Sequence, residues 1–444
     1  MQDFTHGPIG RQIIKFATPI ILGNIFMQLY QIVDSIIVGQ ILGKEALAAV
    51  GASMPVIFAI IAIMIGIGSG ASVVISQYFG SGQYDKVKIT SDTLHVMLLV
   101  GAIVIAALGI PFAEDIFRLT GLPETIIPQA TEYLQVYLAG IFILFGFNSI
   151  SAILRGIGDS KTPLYFLFVT AILNIGLDYL FIMQFEWGIA GAAWATVAAE
   201  AIAYLGAILY INKTHKILNI NLFKLEFNRK IFMQCVKYGL PTGVQQSFVA
   251  FGAIALSVIV NRFGTDVIAA YSAAYRIDNL AVLPAMNFAA ALSSFVGQNI
   301  GAGKIDRVKK ALKFTLLVSS ITCIVITGGI VIWGEDLISM FIDDPAVIAI
   351  GQQYLVIVSA FYVIFNVMFV LGGMLRGAGA TMVPMIITFI ALWGVRIPIA
   401  AIFSDIFGEV GIWWSIPTGW AIGAVLSYIY YKKGNWKKRS IFYV

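Results

Sequence analysis

The sequence predicts an all-α integral membrane protein with twelve transmembrane helices, arranged as two pseudo-symmetric six-helix lobes around a central cleft. Three observations carry this reading. The 444 residues are 59% hydrophobic and only 11% charged, with a mean hydropathy of +0.90; soluble domains carry about 25% charged residues. Twelve apolar runs are long enough to cross a hydrocarbon core about 30 Å thick. The second half of the chain also repeats landmarks of the first at a nearly constant offset.

Taken in order, the spans are predicted at 12–39, 47–79, 91–113, 130–154, 162–184, 188–211, 233–262, 267–299, 311–334, 348–375, 381–404 and 410–431. Several exceed the length needed to cross, which implies tilt or extension beyond the hydrocarbon. The 43 glycines suit close helix packing. Nearly all of the 28 Lys and Arg fall in segments on the same side as the N-terminus. Only Lys44, Arg118 and Arg262 lie in loops on the other side, and Arg276 and Arg396 lie within spans. The positive-inside rule then makes both termini cytoplasmic. The net charge of +5 is this topogenic bias rather than a footprint for nucleic acid. Met1–Arg11 is polar and the segment after it is too long for a signal-peptide core, so no cleavable signal is expected. Two cysteines are too few for a disulfide framework, and three scattered histidines offer no metal site.

The repeat is explicit. Gln77-Tyr78-Phe79-Gly80-Ser81-Gly82 matches Gln298-Asn299-Ile300-Gly301-Ala302-Gly303, and Leu154-Arg155-Gly156-Ile157-Gly158 matches Leu375-Arg376-Gly377-Ala378-Gly379, both at an offset of 221. Pro19 pairs with Pro241, and Gly191 and Trp194 pair with Gly411 and Trp414, within one residue of that offset. Each half holds an even number of spans, so the halves are parallel repeats. The predicted division is an N-terminal lobe over 1–211, a cytoplasmic linker over 212–230 and a C-terminal lobe over 231–444. Two like bundles facing each other form a cleft able to open to either side, the architecture of an alternating-access transporter.

These blocks, Gly297–Gly303 after span eight and the Leu-Arg-Gly-x-Gly blocks after spans four and ten, resemble the multidrug and toxic compound extrusion (MATE) transporters over the whole chain. An Asp in span one with Asn-x-x-x-Asp in span five resembles the DinF-like and archaeal branch. In that branch the resemblance implies a cation site in the N-terminal lobe. The NorM-like branch uses carboxylates on spans seven and ten. Here those spans offer Gln245, Gln246 and Asn366, so that site looks absent.

Intramembrane acids are functional candidates because burying a carboxylate in lipid costs about 2.5–3.5 kcal/mol. Asp34, Asp178, Glu200 and Asp278 fall within spans. Asp34 lies roughly 8 Å, Asp178 roughly 9 Å and Thr196 roughly 12 Å from the outer ends of their spans, at 1.5 Å per residue. Asn174 shares the face of Asp178 by its i,i+4 spacing. These four residues therefore occupy one layer. Two carboxylates, an amide oxygen and a hydroxyl suit a hard cation such as Na⁺, and the same acids suit a proton, titrating as a pair. The resemblance matches Asp34, Asn174, Asp178 and Thr196 to the family's N-lobe cation ligands and adds the Ala192 carbonyl. Asn24, Gln28, Gln31 and Ser35 form a polar stripe on span one, either a cavity wall or a packing seam. Tyr30 stands beside it, and Gln28, Gln31 and Tyr30 are candidates for proton relay or substrate contact. Glu200, one turn from Thr196, offers a proton relay or a bond to a neighbour. Asp278 offers a contact for a cationic substrate or compensation of a charge. Pro19 is a candidate hinge, since span one bends near the matching proline in some relatives. Tyr133 and Tyr137 read as packing, belt or cavity residues.

The function expected is therefore secondary active efflux of amphipathic, often cationic, drug-like compounds, by antiport against H⁺ and/or Na⁺. The chain is expected to be a monomer in a bacterial or archaeal plasma membrane, without enzyme activity, cofactor or nucleic-acid partner. The alternative is a flippase for lipid-linked saccharides in the same superfamily, which calls for basic groups around a pyrophosphate; only Arg276 and Arg396 lie in spans. An intramembrane aspartyl protease would need a Gly-x-Gly-Asp context, which Gly176-Leu177-Asp178 does not supply. Gly66-Ile67-Gly68-Ser69-Gly70 is followed by no Gly-Lys-Ser/Thr, so ATP is not the expected energy source.

Overall fold

In a computed structural model of the chain, residues Gln2–Phe442 are described. Sixteen α-helices follow one another among them and no strand occurs. The first half contains α1 (Ile9–Leu42), α2 (Lys44–Gly80), α3 (Tyr84–Gly109), α4 (Ala113–Leu119), α5 (Ile127–Ala139), α6 (Ile141–Gly156), α7 (Lys161–Asp178) and α8 (Gly188–Thr214). The second contains α9 (Arg229–Val260), α10 (Thr265–Gly301), α11 (Ile305–Ser339), α12 (Pro345–Ser359), α13 (Tyr362–Gly377), α14 (Met382–Phe389), α15 (Ile397–Phe407) and α16 (Glu409–Lys433).

Nine helical segments among the described residues are long and apolar enough to cross a membrane, or eleven when the bent pairs α5–α6 and α12–α13 each count as one span. The twelfth expected span is α16. At 25 residues it is long enough to cross, but Trp, Tyr, Thr and Pro dilute its apolar run. Its Trp413 is instead fully buried, parallel to Tyr271 at 5.8 Å and edge-on to Tyr354 at 5.0 Å. Helices generally outrun the expected spans at both ends. The 34 residues of α1 make about 51 Å of helix, well beyond the hydrocarbon thickness. Ile172, Leu209, Val325 and Ile332 are each about 70% exposed, as lipid-facing side chains are.

Spans four and ten were expected as single helices. Each is bent, by 54° between Ala139 and Ile141 and by 50° between Ser359 and Tyr362. No proline sits at either bend. At the first, Gly140 lies so close to Val197 that a Cβ there would overlap its side chain, so α5–α6 turns where it meets α8.

The motif glycines have a conformational reason. Gly43 and Gly264, Gly82 and Gly303, Gly158 and Gly379, and Gly188 and Gly408 are pairwise equivalent in the repeat, and all eight have φ between +58° and +90°. Only glycine adopts that region without cost, so the repeat conserves the turns between helices. It also conserves a close crossing. A Cβ on Gly68 would meet the Cβ of Ala152 at 3.4 Å, and one on Gly373 would run into the Ala289 backbone. Gly68 and Ala289 are repeat partners, as are Ala152 and Gly373. The small residue has changed sides, and the crossing keeps its room.

Contacts divide the chain into two compact units. Unit 1 is Met1–Gln2 with Leu22–Leu240, and unit 2 is Asp3–Ile21 with Pro241–Val444. This differs from a division at 211 and 231. The segment 212–230 belongs to unit 1, the first part of α1 (to Ile21) to unit 2, and the first third of α9 to unit 1. The two crossing points lie beside Pro19 and at Pro241. Helix α1 nonetheless continues unbroken through Pro19.

Within unit 2 the N-terminal strap is tied to the repeat block. Phe4 is fully buried against Phe16 and Phe295. Its N–H donates to Gln298 Oε1 at 2.9 Å, and its carbonyl accepts from Asn299 Nδ2 at 3.1 Å and Arg307 Nη2 at 2.9 Å. Within unit 1 the linker is tied to α3 and to the turn between α6 and α7. The Asn228 N–H donates to Thr93 Oγ1 at 3.1 Å, and His215 Nε2 stands 3.0 Å from Asp159 Oδ2.

Candidate functional site

Three helices of unit 1 bring the expected residues together. Asp34 and Tyr30 come from α1, one turn apart; Asn174 and Asp178 close α7; Ala192, Thr196 and Glu200 follow at successive turns of α8. Asn174 and Asp178 are fully buried. The Asp34 and Asp178 carboxyl groups lie within hydrogen-bonding reach of each other. The Asn174 amide is assigned from its neighbours: Nδ2 donates to Asp178 Oδ2 at 2.9 Å and to the Tyr30 hydroxyl at 3.1 Å, while Oδ1 accepts from the Thr196 N–H at 3.1 Å. Thr196 Oγ1 has two acceptors at 3.3 Å for its one proton, Asn174 Oδ1 and the Ala192 carbonyl.

Asp34 lies further from the end of its helix than the span boundaries predict. Helix α1 runs on to Leu42, which puts Asp34 about 12 Å from the helix end. Asp178 is the last α-helical residue of its span. The next six residues, Tyr179–Gln184, form a π-helix, an irregularity often found at functional sites. Nothing in the local sequence signals it.

The rest of the set is placed less uniformly. Glu200 Oε2 is buried and has no hydrogen-bond partner among the described residues. Its charge reaches Tyr30 and Tyr137. Tyr133 and Tyr137 on α5 are 3% and 8% exposed, and Tyr133 lies within electrostatic reach of both aspartates. These tyrosines wall the cluster. Their apolar context gave no hint of it in the sequence, because a buried tyrosine in a span also reads as packing. Gln28 and Gln31 are exposed rather than part of the cluster, and Ser35 donates to the Gln31 carbonyl at 2.9 Å. Pro19 lies in the part of α1 that belongs to unit 2. Asp278 is likewise in unit 2, 8% exposed, accepting from Tyr362 at 2.7 Å and from Tyr354 at 3.4 Å. Arg396 ends a second π-helical turn, Ile390–Arg396, with Nε buried and unpaired among the described residues.

The donor set can be tested against a bound cation. Asp34 Oδ1 and Asp178 Oδ1 are buried and lack a hydrogen-bond partner among the described residues. They are hard anionic oxygens of the kind that take up a proton or a hard metal ion. Asn174 Oδ1, in contrast, is occupied by Thr196, and it is the amide nitrogen that meets Asp178. The carboxyl groups fit either ion.

A duplicated, multi-pass helical membrane protein with a buried, partly unsatisfied acid cluster in one repeat is a membrane transporter in class. The MatE family model matches residues 19–180 and again 241–402, once per half of the chain. The chain belongs to that family. It is 35% identical over 443 residues to the probable multidrug resistance protein YpnP of Bacillus subtilis, covering 99% of this chain and 98% of that one. It is 30% identical over 443 residues to the probable multidrug resistance protein YoeA of the same organism, covering 98% and 95%. Among solved structures, one described as MATE in the bent conformation superposes with a TM-score of 0.91 at 25% identity, covering 98% of both chains.

Proposed function

We propose that the chain is a secondary active exporter of amphipathic, often cationic small molecules, working by alternating access and driven by proton antiport through Asp34 and Asp178. The multidrug resistance proteins it resembles support the substrate class. The Lys and Arg distribution supports cytoplasmic termini in a bacterial plasma membrane, and a monomer is the working unit.

One observation carries the coupling: the Asp34 and Asp178 carboxyl groups, the first half-buried and the second fully buried, interact electrostatically, and each keeps one buried oxygen without a hydrogen-bond partner among the described residues. Carboxyl groups in contact cannot both be ionised, so they hold a proton between them. When the proton leaves, two like charges face each other in a medium that screens them poorly, and they must separate. Asp34 is on α1 and Asp178 on α7, so the proton's presence sets how closely these helices approach. Because the proton binds the close and the separated arrangements with different affinity, it shifts the balance between them. Asn174, whose amide also donates to the Tyr30 hydroxyl, holds Asp178 while this happens. Asp278, held by two tyrosines in unit 2, is proposed as a contact for the cationic group of the substrate.

Sodium coupling is the second reading, favoured by the two unpartnered carboxylate oxygens. It requires the Asn174 amide to turn its oxygen towards the ion. The flippase reading is disfavoured by the acidic character of the cluster.

Asp34→Asn tests the assignment in cells and in reconstituted vesicles. It should reduce drug resistance and export to background while the protein stays folded in the membrane. Export at the wild-type rate by a folded Asp34→Asn protein would overturn it.

A further inference from the structure

A second set of buried polar groups lies in unit 1, on α3, and the ion cluster does not use it. Ser91, Asp92 and His95 are 0%, 0% and 4% exposed. Ser91 Oγ, Asp92 Oδ1 and His95 Nε2 each lack a hydrogen-bond partner among the described residues. His95 Nδ1 is 2.8 Å from the Ser91 carbonyl. A carbonyl only accepts, so Nδ1 carries the hydrogen of the neutral ring and Nε2 is left as a bare acceptor.

The surroundings connect this acceptor to both ends of a path. The His95 ring stacks on Tyr204 of α8, with centroids 6.5 Å apart and planes at 21°. Tyr204 lies one turn, about 6 Å, along α8 from Glu200, whose Oε2 is also unpartnered. Glu200 is in turn one turn from Thr196 of the ion cluster. On the other side, Asp92 Oδ2 accepts from Lys88 Nζ at 2.6 Å and from the linker N–H of Glu226 at 3.4 Å. The Asp92 charge reaches His95. The helices packed on α3 carry few other charges. Those of α2 and α5 are Lys44, Glu45 and Glu132, at the opposite end, and α6 adds Arg155 near the linker end.

The repeat supplies an internal control. The positions equivalent to Ser91, Asp92 and His95 hold Leu312, Lys313 and Leu316, and those equivalent to Glu200 and Tyr204 hold Trp420 and Ala424. A group that the six-helix fold itself required would be present twice. This column exists only in the unit that has the acid pair.

We propose that His95 Nε2 is the proton acceptor on the exit path from the ion cluster, taking the proton from Glu200 past Tyr204 and releasing it through Asp92 to the linker side of the membrane. The proposal rests on the proton-coupled reading above. In the transfer, the Glu200 O–H bond breaks and an Nε2–H bond forms, leaving a carboxylate and an imidazolium. Water or the Tyr204 hydroxyl bridges the step by giving up one proton as it gains another. The Nε2–H bond then breaks, the proton passes to Asp92 Oδ1, and Asp92 loses it to water. His95 returns to the neutral tautomer with Nδ1 still bonded to Ser91.

The test uses the full chain, oriented in vesicles, exporting ethidium under an imposed proton gradient while the pH on the linker side is varied. The wild type should show an inflection in export rate as the linker-side pH is varied. His95→Gln should slow export by about 10²-fold, the lower end for loss of a proton-transfer group, and should remove the inflection while leaving ethidium affinity unchanged. Tyr204→Phe, which keeps the ring stack, should slow export less and keep the inflection. Wild-type rates and the same pH profile in His95→Gln would overturn the proposal. If His95→Gln does not fold, an unchanged rate in Asp92→Asn overturns it instead. Wild-type export that ignores the proton gradient would remove the coupling reading and this path with it. Gradient-driven export with an intact profile in His95→Gln would remove only the path.

Discussion

At the scale of single residues, position matters more than residue type. Asp34, Asp178 and Asp159 are all acids within or beside spans, yet they do different work. The first two face each other. Asp159, in the turn between α6 and α7, faces donors: Thr162 Oγ1 at 2.7 Å, the N–H groups of Lys161 and Thr162 at 3.1 Å, and His215 Nε2 at 3.0 Å. Burial pushes its carboxyl up, but the bonds to His215 and Thr162 outweigh this and hold it well below the usual carboxylate range. A depressed folded-state value means that this contribution to stability is complete above the unfolded value of about 3.9. It is lost as pH falls below that and through the folded value. Asp159→Asn should cost about 1–3 kcal/mol at neutral pH, the range for an unsatisfied buried partner. It should also flatten the loss of stability in acid. Thermal unfolding in detergent from pH 7 down to pH 3 reads both effects; an unchanged acid limb in the variant would contradict this role for Asp159. The acids themselves were legible in the sequence, because a charge in an apolar run stands out. The Asp34–Asp178 contact and the tyrosine wall were not, because they depend on how three helices turn about their axes, and period and depth do not fix that.

At the scale of elements, the spans were legible from their apolar runs and their turns from glycine, while the helix ends that run on past the hydrocarbon were not. Two kinds of irregularity were hidden. The bends in α5–α6 and α12–α13 arise without proline. The π-helix after Asp178 has no composition of its own. At the first bend, Gly140 packs directly against Val197 of α8. The α10–α13 crossing gives a matched test. A Cβ on Gly377 would collide with the Ser293 carbonyl and approach Val296 Cβ at 2.9 Å, whereas one on Gly372 would find nothing nearer than 3.7 Å. Gly377→Ala should therefore destabilise the folded protein by about 1–3 kcal/mol, the cost of overpacking, and Gly372→Ala should be nearly neutral. Equal melting temperatures for the two variants in detergent would show that the crossing can relax and that the motif glycine serves another purpose.

At the scale of the whole molecule, duplication explains the architecture, and the proposed function rests on its exceptions. The family model matches each half separately, the left-handed glycines recur in pairs, and both long bends recur. What does not recur is the acid pair on α1 and α7 and the polar column running from Glu200 to Asp92. Helix α1 belongs to unit 2 up to Ile21 and carries Asp34 in its later part, in unit 1, so the helix bearing Asp34 runs through both units. The most direct measurement of the central claim is export by the purified chain in vesicles under a proton gradient alone, with no sodium present, compared with a sodium gradient alone. The proton gradient should drive export, and Asp34→Asn should abolish it. Export that responds to sodium alone, or to neither gradient, would contradict proton antiport through the Asp34–Asp178 pair.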